Sequence, residues 1–396
     1  MIPEYRQDFN ARFTADKYQT FLGLIEQRSR AAVKFRCSET PCFFPRDILL
    51  KMADAGADLI HQLVGNDDYL KAADAVIPAG FRAPIPSDRP LFVQADFGIT
   101  RGPEGEWEPK LVEIQGFPSL YAFQVVLAEA YRDAYSLDSN LGAFLGGLDR
   151  SSYLRLFRRA VLGDCDPDNV ILLEVDPDQQ KTLPDFRVTE EFCGTRTVNI
   201  RDLRKFGNGL FVESNGREVP VKRIYNRAIA DEIIRKGIPL QFSFEDNLDV
   251  SWAGHPNWFF RISKFSLPWL KHPVVPATWF LDELDGELPL PPEQLVLKPL
   301  FSFAGLGVTI GPTLEDIRAI PVEQRKDYIV QERVDFVPTI ATPPGLAKAE
   351  VRIMYLWVDS LVPVNTIVRM GRGTMMGVDQ NRDFTWVGAS AAFFPM

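Results

Sequence analysis

The stretch Leu295-Val296-Leu297-Lys298-Pro299-Leu300-Phe301-Ser302-Phe303-Ala304-Gly305-Leu306-Gly307-Val308-Thr309-Ile310-Gly311 decides how the chain is read. It reads as a strand ending in a lysine, a loop with two glycines, and a second strand from Val308 to Ile310. A hairpin with such a loop can lay backbone N–H groups over phosphates, because glycine lets the backbone approach an anion closely. Lys298 adds a point charge to the same place. The glycine pattern is not a dinucleotide fingerprint, which needs G-x-G-x-x-G opening a helix; Gly305 and Gly307 lead into a β-branched run instead. No P-loop motif occurs anywhere in the sequence. Taken alone, an ordinary hairpin with a surface lysine fits as well, so its neighbours decide.

At 396 residues the chain is long for one core and points to two or three closely packed subdomains. A net charge of −9 argues against a general nucleic-acid binder, which would carry a basic patch. No apolar run reaches membrane-spanning length, and the N-terminus lacks an apolar signal core, so a cytoplasmic protein without a membrane partner is expected. Cys37, Cys42, Cys165 and Cys193 are too few for a disulfide framework and lack zinc-like pairing. His61, His255 and His272 are the only histidines, each read as structural. Chemistry in this chain therefore falls to carboxylates, lysines, arginines and a metal.

In chain order, residues 1 to about 90 read as helical, with apolar helical spacing over 18–33 and 45–64. Arg36 and Glu39 lie in the connector between these helices, as substrate contacts or a surface ion pair. A hairpin follows, from Leu91 to Ile99 and from Pro109 onward. Alternation puts Gln94 and Asp96 on one face of its first strand, and Glu113 and Gln115 on one face of its second. Two carboxylates converging there need a cation or a proton between them; oxygen ligands of this kind suit Mg²⁺. The alternative is a solvated face with the acids apart. Helices resume over 121–160. Val170 to Val175, a helix of about ten residues, and Thr197 to Ile200 form a β-α-β unit that starts a parallel sheet. Strands at 210–212 and 219–225 extend it. Lys264 sits in apolar surroundings, where it either snorkels to water or meets an anion. Tyr328 to Val334 is a strand with a polar end, two more strands cover 351–358 and 362–368, and Arg369 and Arg372 open a glycine-rich end. The expected units are 1–160 (helices plus the acidic hairpin 91–121), a Rossmann-like 161–250, and a lysine-bearing 251–396.

In this order the pieces resemble the ATP-grasp superfamily, and within it the circularly permuted synthetase domain of glutathionylspermidine synthase. The match runs through Gln94-Ala95-Asp96, Leu111-Val112-Glu113-Ile114-Gln115, Pro118-Ser119-Leu120-Tyr121, Ser263-Lys264, and the loop from Lys298 to Gly305. It covers about residues 91 to 396. The resemblance implies an α+β/α/β chain in which antiparallel sheets clasp a nucleotide, with a Rossmann-like pre-ATP-grasp subdomain and N-terminal helices. It implies ATP and Mg²⁺ as cofactors, and Asp96, Glu113 and Gln115 as metal ligands. Lys264, Lys298, Ser302, Gly305 and Gly307 would hold phosphates, and Gln331 and Glu332 would meet adenine. Arg369, Gln94 and Arg372 would serve the reaction. That reaction is carboxylate–amine ligation through an acyl phosphate, on small-molecule carboxylate and amine substrates of which peptides and polyamines are examples. Two departures stand out. Gln115 replaces an asparagine, and Gln94 replaces the family's arginine, leaving Arg101, Arg369 and Arg372 as available cations. Gln94 therefore also favours a catalytically silent nucleotide-binding sensor or scaffold.

Overall fold

The hairpin is the edge of a larger sheet whose other strands come from the far end of the chain. In the computed structural model, which describes residues 1–284, 286–302 and 305–396, Phe92–Arg101 pairs antiparallel with Trp107–Gln115. On its other side it pairs with the thirteen-residue strand Gly345–Trp357. Leu361–Gly371 and Gly388–Ser390 complete the row, and Ile340–Thr342 joins the central strand from one side. Residues 92–115 and 345–390 thus share one sheet, which joins the expected 1–160 and 251–396 units.

The period-two pattern decides what each face of this sheet meets. Val93, Ala95, Phe97, Ile99, Val351, Ile353 and Tyr355 enter one large core with the N-terminal helices. Helix Arg46–Val64 brings Leu49, Met52, Ala53 and Ile60 into that core. The alternate residues face the other way. Phe92, Met354 and Leu356 pack in a second core against helices Phe123–Tyr135 and Arg150–Leu162. Further along the same face, the polar residues Gln94, Asp96, Glu350 and Arg352 take over, and there the apolar cover stops.

The β-α-β unit forms as the sequence suggests. Val170–Glu174, helix Leu183–Cys193 and Arg196–Asn199 belong to a parallel four-stranded sheet with Arg223–Asn226 and Ser251–Ala253. The segment 219–225 is not one strand, however. It splits into Arg217–Val221, which pairs antiparallel with Gly209–Ser214 in a separate three-stranded sheet, and Arg223–Asn226 in the parallel sheet. Lys222 makes the break: its N–H goes to Asn169 and its carbonyl to Ser251.

The opening stretch folds as a hairpin in a third, antiparallel sheet. Leu295–Pro299 pairs with Thr309–Ile310 on one side and Tyr328–Glu332 on the other, and Thr278–Phe280 is the far edge. Leu281, Leu295, Leu297, Ile317 and Val330 give this lobe a small core of its own. Among the described residues, no helix is long and apolar enough to cross a membrane.

Candidate functional site

A cleft of about 640 Å³ opens between the lysine-bearing lobe and the polar half of the large sheet. Each wall can be derived from register. Asp96 lies opposite Glu113 on one side and opposite Arg352 on the other, and Glu350 lies opposite Arg369. Adjacent strands therefore set three carboxylates and two guanidinium groups side by side. From the facing lobe Lys298, in strand Leu295–Pro299, and Lys264, at the start of a 3-10 turn capped by Ser263, complete the group.

Pairing within the cluster is uneven. Arg352 Nε and Nη2 donate to the two oxygens of Asp96 at 2.5 and 2.6 Å, and its Nη1 donates to Gln94 Oε1 at 2.9 Å. Arg369 Nη1 reaches Asp96 at 3.1 Å and also pairs with Glu350. Burial alone would push the Asp96 carboxyl up; Arg352 and Arg369 outweigh it and hold it below the usual range. Burial, with Asp96 and Glu113 adding to it, pushes the Glu350 carboxyl up despite Arg369. Glu113 sits 3.8 Å from Lys264 Nζ and 3.7 Å from Arg352 Nη2.

Lys298 differs from these groups. It is 7% exposed, and its ammonium donates to the Val112 carbonyl at 3.1 Å and to Gln331 Oε1, with no carboxylate within ion-pair distance among the described residues. Burial pulls its pKa down to about 8, against the attraction of Glu113. Gln331 spends its oxygen on Lys298 and leaves its own Nε2 buried without a partner among the described residues. A buried lysine facing no carboxylate, next to an unused amide donor, is a costly arrangement for an empty wall. Four cations against three carboxylates leave the cluster one positive charge in excess.

The expected site residues divide accordingly. Glu113, Gln115, Lys264, Lys298, Ser302, Gly305, Gln331, Glu332 and Arg369 all border the cleft. Gln94 and Asp96 do not; they lie fully buried under its floor, covered by Arg352. Gly307, φ +73°, does not border the cleft, and a Cβ there would lie 2.8 Å from Pro299 Cγ. Gly305, φ +75°, approaches Met375 so closely that a Cβ would lie 2.9 Å from Cε, and so brings the loop to the segment beyond Arg369. Phe303 and Ala304 of the same loop lie outside the described residues. Arg372 also falls outside the cleft, bonded to Thr385, Thr342 and Gly345. Arg101 is an exposed strand end bonded to Gly105. Arg36 and Glu39 serve the fold: they pair with each other and tie down the backbone at Val387 and Trp386.

Residues that the sequence reading passed over also border the cleft. Glu350 and Arg352, with Lys348 before them, are charged every second residue in an otherwise apolar strand, which is the signal that could have found them. At the far end, Glu174 and Arg227 stand at the carboxyl ends of two parallel strands, with Ser119, Glu232 and Asp379 nearby. Burial pushes the Glu174 carboxyl up to about 8, with Arg227 opposing. Arg227 lies between the rings of Phe117 and Phe186 and bonds the Pro118 carbonyl and Asp185. Asp185 in turn accepts three backbone N–H groups of the turn 120–123, where Leu120 sits at φ 63°.

Helices and several antiparallel sheets, with a parallel sheet beside them, make this a mixed α+β chain. No family model matches the chain, and no curated protein matches it by sequence. Among solved structures, a glutathione synthetase-like effector (GSS30) from Globodera pallida, in its apo form, is similar with a TM-score of 0.61 at 14% identity. The likeness covers 100% of this chain and 99% of that one. At that identity it shows a shared fold.

Proposed function

We propose that this cleft binds ATP and uses it to join a carboxylate to an amine. The observation that carries the reading is Lys298 together with Gln331: a buried ammonium and an unused amide donor, beside Lys264, on the wall facing Arg352 and Arg369. Phosphate oxygens are the ligand such a set suits, with the base against the Tyr328–Glu332 strand and Ser302 and Gly305 bordering the same cleft. An oxygen of the acyl substrate attacks the γ-phosphorus, the bond to the β-phosphate oxygen breaks, and ADP leaves an acyl phosphate. The amine then attacks the carbonyl carbon, the acyl C–O bond to phosphate breaks, and the amine's proton passes to the departing phosphate. The chain's part is to hold the reactants in line and to neutralise charge as it develops.

The donor set fits Mg²⁺ only in part. Glu113, with Gln115 beside it, borders the cleft and suits an ion that takes one carboxylate plus phosphate oxygens. Asp96 does not fit, since both its oxygens are engaged by arginine. When bound, Mg²⁺ would neutralise phosphate charge.

A second reading has an observation of its own. Gln94 is neutral and Asp96 is closed off, which favours a binder without turnover. Melting the protein with and without ATP, in Mg²⁺ and in EDTA, tests binding. Measuring ADP release across amino-acid, peptide and polyamine pairs then separates the two. ATP stabilisation with substrate-dependent ADP release is expected, and Arg369→Ala should abolish the release while still binding ATP. Stabilisation without release from any pair selects the silent binder. No stabilisation at all sinks both.

A further inference from the structure

We infer that Arg352 contacts the anionic ligand in the cleft and that Asp96 is its positioning residue, not a metal ligand. The inference rests on the cleft being a polyphosphate site.

Geometry fixes the guanidinium first. Arg352 lies directly opposite Asp96 in the antiparallel register, so the two side chains leave the sheet on the same face, a strand's spacing apart. The result is the two-point fork in which a guanidinium plane and a carboxylate match. Gln94 holds the third corner. Its Oε1 accepts from Arg352 Nη1 at 2.9 Å, while its Nε2 donates to the Ser119 carbonyl at 2.7 Å. The amide is thereby locked between the floor and the turn that carries Ser119, and it has no donor left for the cleft.

Counting protons shows what remains. A guanidinium has five N–H groups. Asp96 and Gln94 take three, one on each nitrogen, which leaves one N–H on Nη1 and one on Nη2. Among the described residues neither has a protein acceptor: the nearest carboxylate, Glu113, is 3.7 Å from Nη2, beyond a hydrogen bond. Arg352 borders the cleft, whereas Asp96 is wholly buried behind it. Two donors on one rigid plane, turned to a cleft with excess positive charge, suit a phosphoryl oxyanion. Charge also argues against a metal at Asp96. Its oxygens already face two guanidinium groups, and a divalent cation there would stand against both.

The test uses the full-length protein with inorganic tripolyphosphate and with ATP, each in EDTA and across a Mg²⁺ titration. Removing one member of a buried pair can unfold the protein, so the main variant is Asp96→Asn with Arg352→Gln. It removes both charges together and leaves no unpaired ion. A thermal melt of that double variant close to the wild type, with tripolyphosphate affinity in EDTA lower by roughly tenfold or more, is expected for loss of charge-assisted bonds. Asp96→Asn alone should lower the affinity yet keep the Mg²⁺ midpoint for ATP binding at the wild-type value, while Glu113→Gln raises that midpoint. A double variant that folds and binds tripolyphosphate as tightly as the wild type overturns the role of Arg352. An Asp96→Asn midpoint that rises as Glu113→Gln does makes Asp96 a metal ligand and overturns its positioning role. A wild type that binds neither probe overturns the polyphosphate reading itself, and this inference with it.

Discussion

Lys298 is where the physical chemistry of a single residue can be measured. Burial lowers its pKa from 10.5 to about 8, so the unfolded chain holds the proton more tightly than the folded one. At about 1.4 kcal/mol per unit, burying the ammonium costs on the order of 3 kcal/mol below pH 8. That cost is relieved as pH rises from 8 toward 10.5, where the unfolded state binds more protons and stability climbs. Ligand binding must run in the opposite direction, because only the charged form attracts an anion. Tripolyphosphate affinity should therefore fall between pH 7.5 and 9.5 in the wild type. In Lys298→Met it should be weaker throughout and nearly flat over the same range. Calorimetric titrations at four pH values check this, and a wild type as flat as the variant would show that Lys298 does not meet the ligand. At this scale the sequence was informative but incomplete. Lys264, Lys298 and Glu113 were singled out by short motifs and Arg369 by its late position, and all four border the cleft. Arg352 was not, because its role depends on which strand lies beside Asp96, and residues 256 positions apart in sequence give no local sign of pairing.

Secondary-structure elements were more legible than the sheets they form. The acidic hairpin, the β-α-β unit and the lysine hairpin each carry a local period, and each forms near its expected place. The split at Lys222 falls where the apolar positions change parity, from Val219 and Val221 to Ile224, a break that reading 219–225 as one strand passes over; two sheets take the two halves. Packing between elements has its own critical point at Gly56, where helix Arg46–Val64 crosses the central strand. A Cβ at Gly56 would lie 2.1 Å from the Tyr355 hydroxyl, which donates to the Ala53 carbonyl at 2.7 Å. Gly56→Ala should therefore lower stability despite the better helix propensity of alanine, by about 1–3 kcal/mol as in other overpacked cores. Tyr355→Phe removes the colliding oxygen, so the double variant should recover part of the lost melting temperature. If Gly56→Ala melts at or above the wild type, the helix is not seated on the strand as described.

The molecule as a whole sets its site between bodies of unequal size. The large sheet shares its core with the N-terminal helices and the C-terminal strands, which explains why residues 1–90, read from the sequence as helical and without an assigned role, form part of the framework. They hold the apolar face of the sheet so that its polar half can stand open as the floor. Among the described residues, the lobe carrying Lys298 has a small core of its own, Leu281, Leu295, Leu297, Ile317 and Val330, and reaches the large core through Leu300 and Ile329. Local opening costs least where few apolar contacts must be broken. Amide exchange should therefore be faster across 278–332 than in the central strand Gly345–Trp357. A ligand bridging Lys298 to Arg352 and Arg369 would tie the smaller body to the larger one and stabilise its closed, paired strands by mass action. Saturating tripolyphosphate or ATP should slow exchange of the amides in Leu295–Pro299 and Tyr328–Glu332 by at least tenfold, while the parallel sheet at Val170–Glu174 changes far less. Mass-spectrometric exchange with and without ligand reads both regions at once. Protection spread evenly over the two sheets would mean a general rise in stability, and protection confined to the parallel sheet would move the ligand to the Glu174 and Arg227 end.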